Sequence, residues 1–229
     1  MRPTSKEFLS SAAQDQISEA VRAAESKTSG EIVPVLATTS DPYDRGLFLA
    51  ALASVFMTTL LLIGFYLLPL EKIWPEEADL IPVPWEIPAY ILLPFQLAAL
   101  IGGYYLARLV ARFHRAFVPR AAMQLQVNAA AHRVFQSLQI SQTRDATGIM
   151  LYVSIFERMV VVVADKAIND RYDAATWNGV RDLLIEGLKN DKPEEGFTKA
   201  IQRCGEILGE HFPIKADDTN ELPNHLRLV

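Results

Sequence analysis

Cysteine is almost missing from this chain, with Cys204 the single one among 229 residues. That excludes an intramolecular disulfide framework and leaves too few thiols for a zinc site. The histidines His114, His132, His211 and His225 follow no metal-ligand spacing such as H-E-x-x-H. No G-x-S-x-G elbow, no G-x-x-x-x-G-K-[ST] phosphate loop and no G-x-G-x-x-G fingerprint occurs, so no sequence signature names a reaction. A basic excess is lacking too: the net charge is -5 with a pI near 5.4, and no basic stripe interleaved with aromatics is present. A nucleic-acid partner is therefore not expected. The leading residues carry Arg2, Lys6, Glu7, Asp15, Glu19 and Arg22 and lack the apolar core and small-residue cleavage site of a secretory leader.

Hydrophobic residues, by contrast, make up 50% of the chain, with a mean hydropathy of +0.14. Two runs, GLFLAALASVFMTTLLLIGFYLL at 46–68 and IPAYILLPFQLAALIGGYYLA at 87–107, hold no charged residue. Each has the roughly 20 apolar residues needed to cross a hydrocarbon core about 30 Å thick. Trp74, Trp85, Tyr90, Tyr104 and Tyr105 stand near their ends, where amphipathic rings favour the interface. The spacing predicts two transmembrane helices, the first of them acting as the targeting element. Arg45 precedes the first run and Arg108, Arg112, Arg115 and Arg120 follow the second, whereas the proline-rich connector PLEKIWPEEADLIPVPW offers only Lys72. Both termini are thus expected in the cytoplasm of a bacterial inner (plasma) membrane. Gly46, Ala50, Ser54 and Thr58 recur every fourth residue, and Ala98 with Gly102 or Ala99 with Gly103 offer a matching small surface. Such faces let helix backbones approach closely, within the hairpin or between copies. Gln96 is the one amide in the second run and is placed to bond across helices.

The stretch DATGIMLYVSIFERMVVVVAD, 145–165, is almost as apolar, but Glu157 and Arg158 fall at its middle. An acid and a base at the centre of a span would be costly in lipid. Two buried strands, IMLYVS and MVVVVA, joined by a turn carrying both charges, account for it instead. Thr4 and Glu7 have capping-box spacing and Ile17, Val21 and Ala24 form an apolar stripe, which predicts one or two helices over 5–27. Thr28-Ser29-Gly30 reads as a stop with Gly30 as a left-handed cap, and EIVPVLA, 31–37, as a strand whose Pro34 suits an edge or a distorted position. Further helices are expected around 120–138, over 173–189 with Asp173 as N-cap, and over 193–210 with Pro193 in its first turn. A helix and one strand cannot bury a core alone, so residues 1–44 and 117–229 are expected to form one α/β domain interrupted by the hairpin at 45–116.

GEIVPVLA, ISQTRDATGIMLYVSIFERMVVVVADKAI, AIQRCGEILGEHFP and NELPN together resemble the TPM-domain family, most closely its bacterial membrane-bound branch. The family is named for a thylakoid-lumen protein, a photosystem II repair factor and a nematode receptor modulator. The similarity spans 13–37 and 119–224 and centres on T-G-I-x-L-Y-V-S-x-x-E-R. The resemblance implies a small mixed sheet flanked by helices, that is, a split TPM-like domain. It also offers two kinds of role, since plant lumenal members have been proposed as acid phosphatases and calcium binders and animal members act as auxiliary proteins of membrane receptors.

Asp165 matches the family's polar position after the second strand of the pair, and Glu157 and Arg158 match its E-R turn. Asp165, Asp170 and Asp173 could supply oxygen ligands to a divalent cation such as Ca or Mg, although D-x4-D-x2-D is no recognised calcium loop and capping explains all three. Adjacent charges at a hairpin tip are expected to be solvated or locally paired. Asn220, Glu221 and Pro223 could form a recognition strip or pin the C-terminus. Cys204 shares a helix face with Phe197, Ile201 and Leu208 and is expected in the core. The reading is a membrane-tethered cytoplasmic interaction or assembly module whose partners are the lipid bilayer and a membrane protein or further copies of itself. The alternative is a metal-dependent phosphatase-like or divalent-cation-binding TPM domain using Asp165.

Overall fold

The computed structural model describes residues 4–41, 44–67, 89–109, 119–173 and 175–229. It divides into two compact units, one of residues 1–41 with 120–229 and one of residues 42–119. The 69–85 connector with Lys72, Trp74 and Trp85, and the segment holding Arg112, His114 and Arg115, lie outside the described residues.

The first unit opens with α1 (Ser5–Phe8), whose capping box is formed as Thr4 N–H donates to the Glu7 carboxylate at 3.1 Å. Helix α2 (Ser11–Glu25) is capped by Ser10 and buries Ile17, Ala20, Val21 and Ala24 along one stripe. Strand β1 (Glu31–Ala37) follows. Beyond residue 119 come α5 (Arg120–Ser137), β2 (Gly148–Ser154), β3 (Met159–Ala164), the short α6 (Lys166–Asn169), α7 (Asn178–Lys189), α8 (Pro193–His211) and β4 (Arg227–Leu228). The second unit holds α3 (Asp44–Leu67) and α4 (Ala89–Leu109).

The sheet is four-stranded and mixed, in the order β3-β2-β1-β4. Strand β1 runs parallel to β2 from Glu31 beside Gly148 to Ala37 beside Ser154, and β2 is antiparallel to β3. A strand from before residue 42 therefore pairs with one from after residue 119. Both faces are covered. Ile32, Leu36, Ile149, Leu151 and Val153 pack beneath α2, α7 and α8, while Val33, Val35, Ala37, Met150 and Tyr152 pack against Val127, Ala131 and Phe135 of α5. Full burial of β1 and β2 explains why both read as unbroken apolar runs rather than alternating ones. Cys204 is 0% exposed among Phe197, Ile201 and Leu208.

Pro34 lies on an inner strand of the sheet rather than at an edge, and the ladder accommodates it for a local reason. Leu36 C=O and Thr38 N–H turn toward β4 and bond Val229 at 3.0 and 2.9 Å, so Pro34, of the same parity, faces that side too. β4 pairs only with Val35 and Leu36, and the missing N–H of Pro34 leaves no ladder bond unmade.

Three local expectations are corrected. Gly30 is not a left-handed cap, because among the described residues no glycine has positive φ. Its lack of a side chain serves packing instead, since a Cβ there would lie 2.9 Å from Leu208 Cδ1. Asp173 does not start the next helix; it closes a turn by accepting the Thr176 N–H at 3.0 Å, and α7 begins at Asn178 after Trp177 has entered the core. Glu157 is not solvated, as described below.

The helices of the second unit contact each other through a polar ladder and a small-residue face. Ser54 Oγ donates to Ala99 C=O at 2.8 Å, Thr58 Oγ1 to Gln96 Oε1 at 3.1 Å, and Gln96 Nε2 to Thr59 Oγ1 at 3.0 Å. A Cβ on Gly103 would fall 2.6 Å from Ser54 Cβ, whereas one on Gly102 would meet nothing within 4 Å. Ala99 and Gly103 thus form the contact face, and Gly102 lies away from it. Both helices are long and apolar enough to cross a membrane, with mean hydropathy 2.3 over Leu47–Gly64 and 1.2 over Leu92–Leu109.

Candidate functional site

The polar residues singled out in the sequence divide between the two ends of the sheet. At the end where β1 and β2 finish, the hairpin loop after β2 is tied to the segment after β1: Ile155 N–H donates to Ala37 C=O at 2.9 Å and Phe156 N–H to Thr38 C=O at 3.1 Å. This brings Glu157 under Thr39 and Ser40. Its side chain is buried, 1% exposed. One oxygen accepts the Ser40 N–H at 3.0 Å and the Thr39 hydroxyl at 3.3 Å, the other the Ser154 hydroxyl in a short bond. Ser40 Oγ in turn lies 3.1 Å from Tyr152 Oη. Burial, with Glu157 nearby, raises the Tyr152 phenol above its ordinary value. The expectation of a solvated tip fails because the loop folds back over β1. Arg158 stays exposed, with φ 53 at the turn.

Asp165 stands at the other end of the sheet, its N–H bonded to Gly148 C=O. The β3 strand separates it from Glu157 by roughly 20 Å at the usual rise per residue. Asp165 caps α6 by accepting the Lys166 N–H at 2.6 Å, and its second oxygen is buried with no hydrogen-bond partner. Asp170 is exposed at the C-terminal end of α6. The Asp173 carboxyl is held below its ordinary value by the Thr176 hydroxyl and N–H. Among the described residues no three His, Cys, Asp or Glu side chains are gathered so as to hold a metal ion. Calcium takes six to eight oxygens and magnesium an octahedron, so the aspartates after β3 do not fit a divalent-cation centre, and no catalytic step is assigned to one.

The same end of the sheet holds a carboxylate pair that the sequence reading missed. Glu25, the last residue of α2, accepts the Ile32 N–H at 2.9 Å and Asn224 Nδ2 at 2.6 Å. Glu31, the first residue of β1 and 7% exposed, accepts the Glu221 N–H at 3.0 Å and the Leu222 N–H at 3.3 Å. Burial is the chief reason that Glu25 is pushed up to about 8, with Glu31 and Asp218 adding repulsion and the Ile32 N–H opposing. Burial likewise raises Glu31, against the pull of the Glu221 and Leu222 N–H groups. One signal was available in the sequence: an acid in the last turn of a helix opposes the dipole and asks for a local reason. Glu221 accepts the Arg144 N–H at 2.8 Å, Asn220 bonds Asn224 at 2.6 Å, and exposed Pro223 lies between Leu222, packed against the α5-side core, and Asn224.

Comparison with known proteins agrees with this architecture. A solved structure, the NMR structure of BA42 protein from the psychrophilic bacterium Bizionia argentinensis, is similar with TM-score 0.57 and 21% identity, over 97% of this chain and 96% of that one. At that identity the likeness speaks for the fold alone. No curated protein matches the chain. Residues 116–207 match the sequence profile of the TPM domain, including the β2-β3 hairpin with its buried glutamate and the helices behind it. Over those residues the chain is similar to the TPM domain.

Proposed function

We propose that the protein is a membrane-tethered interaction module, a TPM-like domain split by a transmembrane hairpin and held on the cytoplasmic side of a bacterial inner membrane. The observation that carries the reading is the outer surface of α3 and α4. Phe48, Leu49, Phe56 and Leu61 are 59, 65, 64 and 66% exposed, and Leu93 and Leu106 are 70 and 62% exposed. Water-soluble proteins rarely present contiguous apolar surface on that scale. The interior polar groups of the pair, Ser54, Thr58, Thr59 and Gln96, bond within it, as lipid requires. The arginine bias of the flanks supports cytoplasmic termini. The carboxylates of the TPM domain bond backbone and hydroxyl groups that shape loops and tail, which supports a binding platform over a reaction centre.

Membrane fractionation tests the tether, and affinity purification from detergent tests the module. The chain is expected to stay with membranes through alkaline carbonate, and a cysteine placed at Ser141 to label only from the cytoplasmic side. It is also expected to purify with a stoichiometric membrane protein or as a discrete oligomer. Release by carbonate would end the membrane reading. Hydrolysis of phosphate esters that needs added Ca or Mg and is lost in Asp165→Ala would replace the module with the phosphatase-like alternative.

A further inference from the structure

We propose that the outer face of α5 is a docking surface for anionic lipid headgroups of the bilayer that holds the apolar helices, an inference that rests on the membrane-tethered reading. Helix α5 turns Met123, Val127, Ala131 and Phe135 toward the sheet. Its opposite side presents Ala122, Leu125, Ala129, His132, Arg133 and Gln136, all exposed and spaced so as to share one helical face. Leu125 is 71% exposed, more than any other large apolar residue described outside α3 and α4.

The charge of this region identifies the occupant. No aspartate or glutamate stands between Glu86 and Asp145. Over that stretch the charged side chains are Arg108, Arg112, Arg115, Arg120, Arg133 and Arg144, of which Arg144 is paired with Asp217. Arg120 and Arg133 are exposed on α5 itself, and among the described residues neither joins an ion pair. The helices over the other face of the sheet differ, since Asp15 and Glu19 on α2, Asp182 and Glu186 on α7, and Glu206 and Glu210 on α8 would repel an anionic surface. In a chain of net charge -5, α5 is thus the long helix of its unit that such a surface attracts. Ten residues, 110–119, join the end of α4 to Arg120, a tether of at most roughly 40 Å. An exposed leucine flanked by arginines suits the interface, where the apolar group enters the acyl boundary and the guanidinium groups meet phosphates. A second copy laid on this face would set arginines against arginines, so a bilayer fits it better than a dimer does.

A nitroxide on Leu125→Cys of the full chain, in nanodiscs that hold one copy each, tests the surface. The native Cys204 is buried and does not compete for the label. Lys189→Cys, exposed at the end of α7, gives the comparison. In discs of phosphatidylethanolamine with phosphatidylglycerol, the label at 125 is expected to meet oxygen freely and a water-soluble nickel chelate roughly fivefold less than the label at 189. In phosphatidylcholine discs, or with Arg120→Gln added, most of that shielding is expected to be lost. Equal chelate access at 125 and 189 in the anionic discs, with the chain embedded, overturns the docking surface and leaves the tether standing. A chain that does not enter the discs ends both readings. Shielding of the same size in phosphatidylcholine overturns the role of headgroup charge. Shielding from oxygen and chelate alike, or shielding that grows with protein concentration in micelles, assigns the face to a protein contact and overturns the proposal.

Discussion

Glu157 accepts the backbone N–H of Ser40 at 3.0 Å across 117 positions of sequence. The bond joins the turn between β2 and β3 to the segment that leaves β1. Glu157→Ala would leave the Ser40 N–H and the Ser154 hydroxyl without their acceptor in a buried place. The loss is expected to be about 2–4 kcal/mol of unfolding free energy, with Glu157→Gln milder because one acceptor oxygen survives. Pulse proteolysis of the micellar protein measures both, and equal stability of Glu157→Ala and wild type would refute the structural role.

In the helical hairpin, Gly103→Ala is expected to separate α3 from α4, since its methyl collides with Ser54, while Gly102→Ala is expected to be neutral. The cost at Gly103 is about 1–2 kcal/mol of helix association. Protease resistance of the pair in micelles separates the two substitutions, and similar behaviour would mean that the packing face is assigned wrongly.

Helices α7 and α8 cross with Gly187 against Gly196, where a Cβ on Gly187 would lie 2.5 Å from Gly196 Cα. The neighbour is backbone and cannot rotate away. Gly187→Ala is therefore expected to cost about 1–3 kcal/mol by overpacking, whereas Gly179→Ala, in open space near the start of the same helix, should stabilise slightly. Denaturation midpoints of the two variants check the contrast.

Stability should also carry the mark of Glu25. Its folded-state value is raised from 4.5 to about 8, so its protonated form is the one favoured by folding. That contribution is fully present below about pH 4.5 and is lost as pH rises through about 8. The difference between wild type and Glu25→Gln should therefore shift against wild type by about 1–2 kcal/mol from pH 5 to pH 9, after allowance for screening. Unfolding curves at the two pH values supply the test, and a difference that does not change with pH would contradict it.

Cys204 should resist thiol reagents in the folded protein. It is 0% exposed and burial raises its thiol well above the ordinary range, so little thiolate forms and none is reachable. Maleimide labelling is expected only after denaturant is added. Rapid native labelling at pH 7.5 would show that α8 opens locally.

The strands EIVPVLA and IMLYVS were readable in the sequence because burial on both faces leaves a short, β-branched apolar run with no polar alternation to confuse it. The helix from Pro193 was readable because its first turn carries its own signals. The start of α7 was not, because Asp173 caps equally well a turn or a helix and the choice fell to Trp177, whose ring enters the core first. Glu25 and Glu31 escaped notice because their donors come from Asn224, Glu221 and Leu222, some 190 residues away.

What the sequence determined by itself was whatever depends on neighbours along the chain: the apolar length of α3 and α4, the stripe on α2, the T-G-I-x-L-Y-V-S-x-x-E-R run and the buried helix face holding Cys204. Tertiary structure alone decided the environments of the charged residues. It buried Glu157 beneath Ser40, left Asp165 at the far end of the sheet, and set Glu25 beside Glu31 under the tail. The physical reason is that an ionisable side chain responds to the dielectric and donors that surround it in space, and those were supplied by segments distant in sequence.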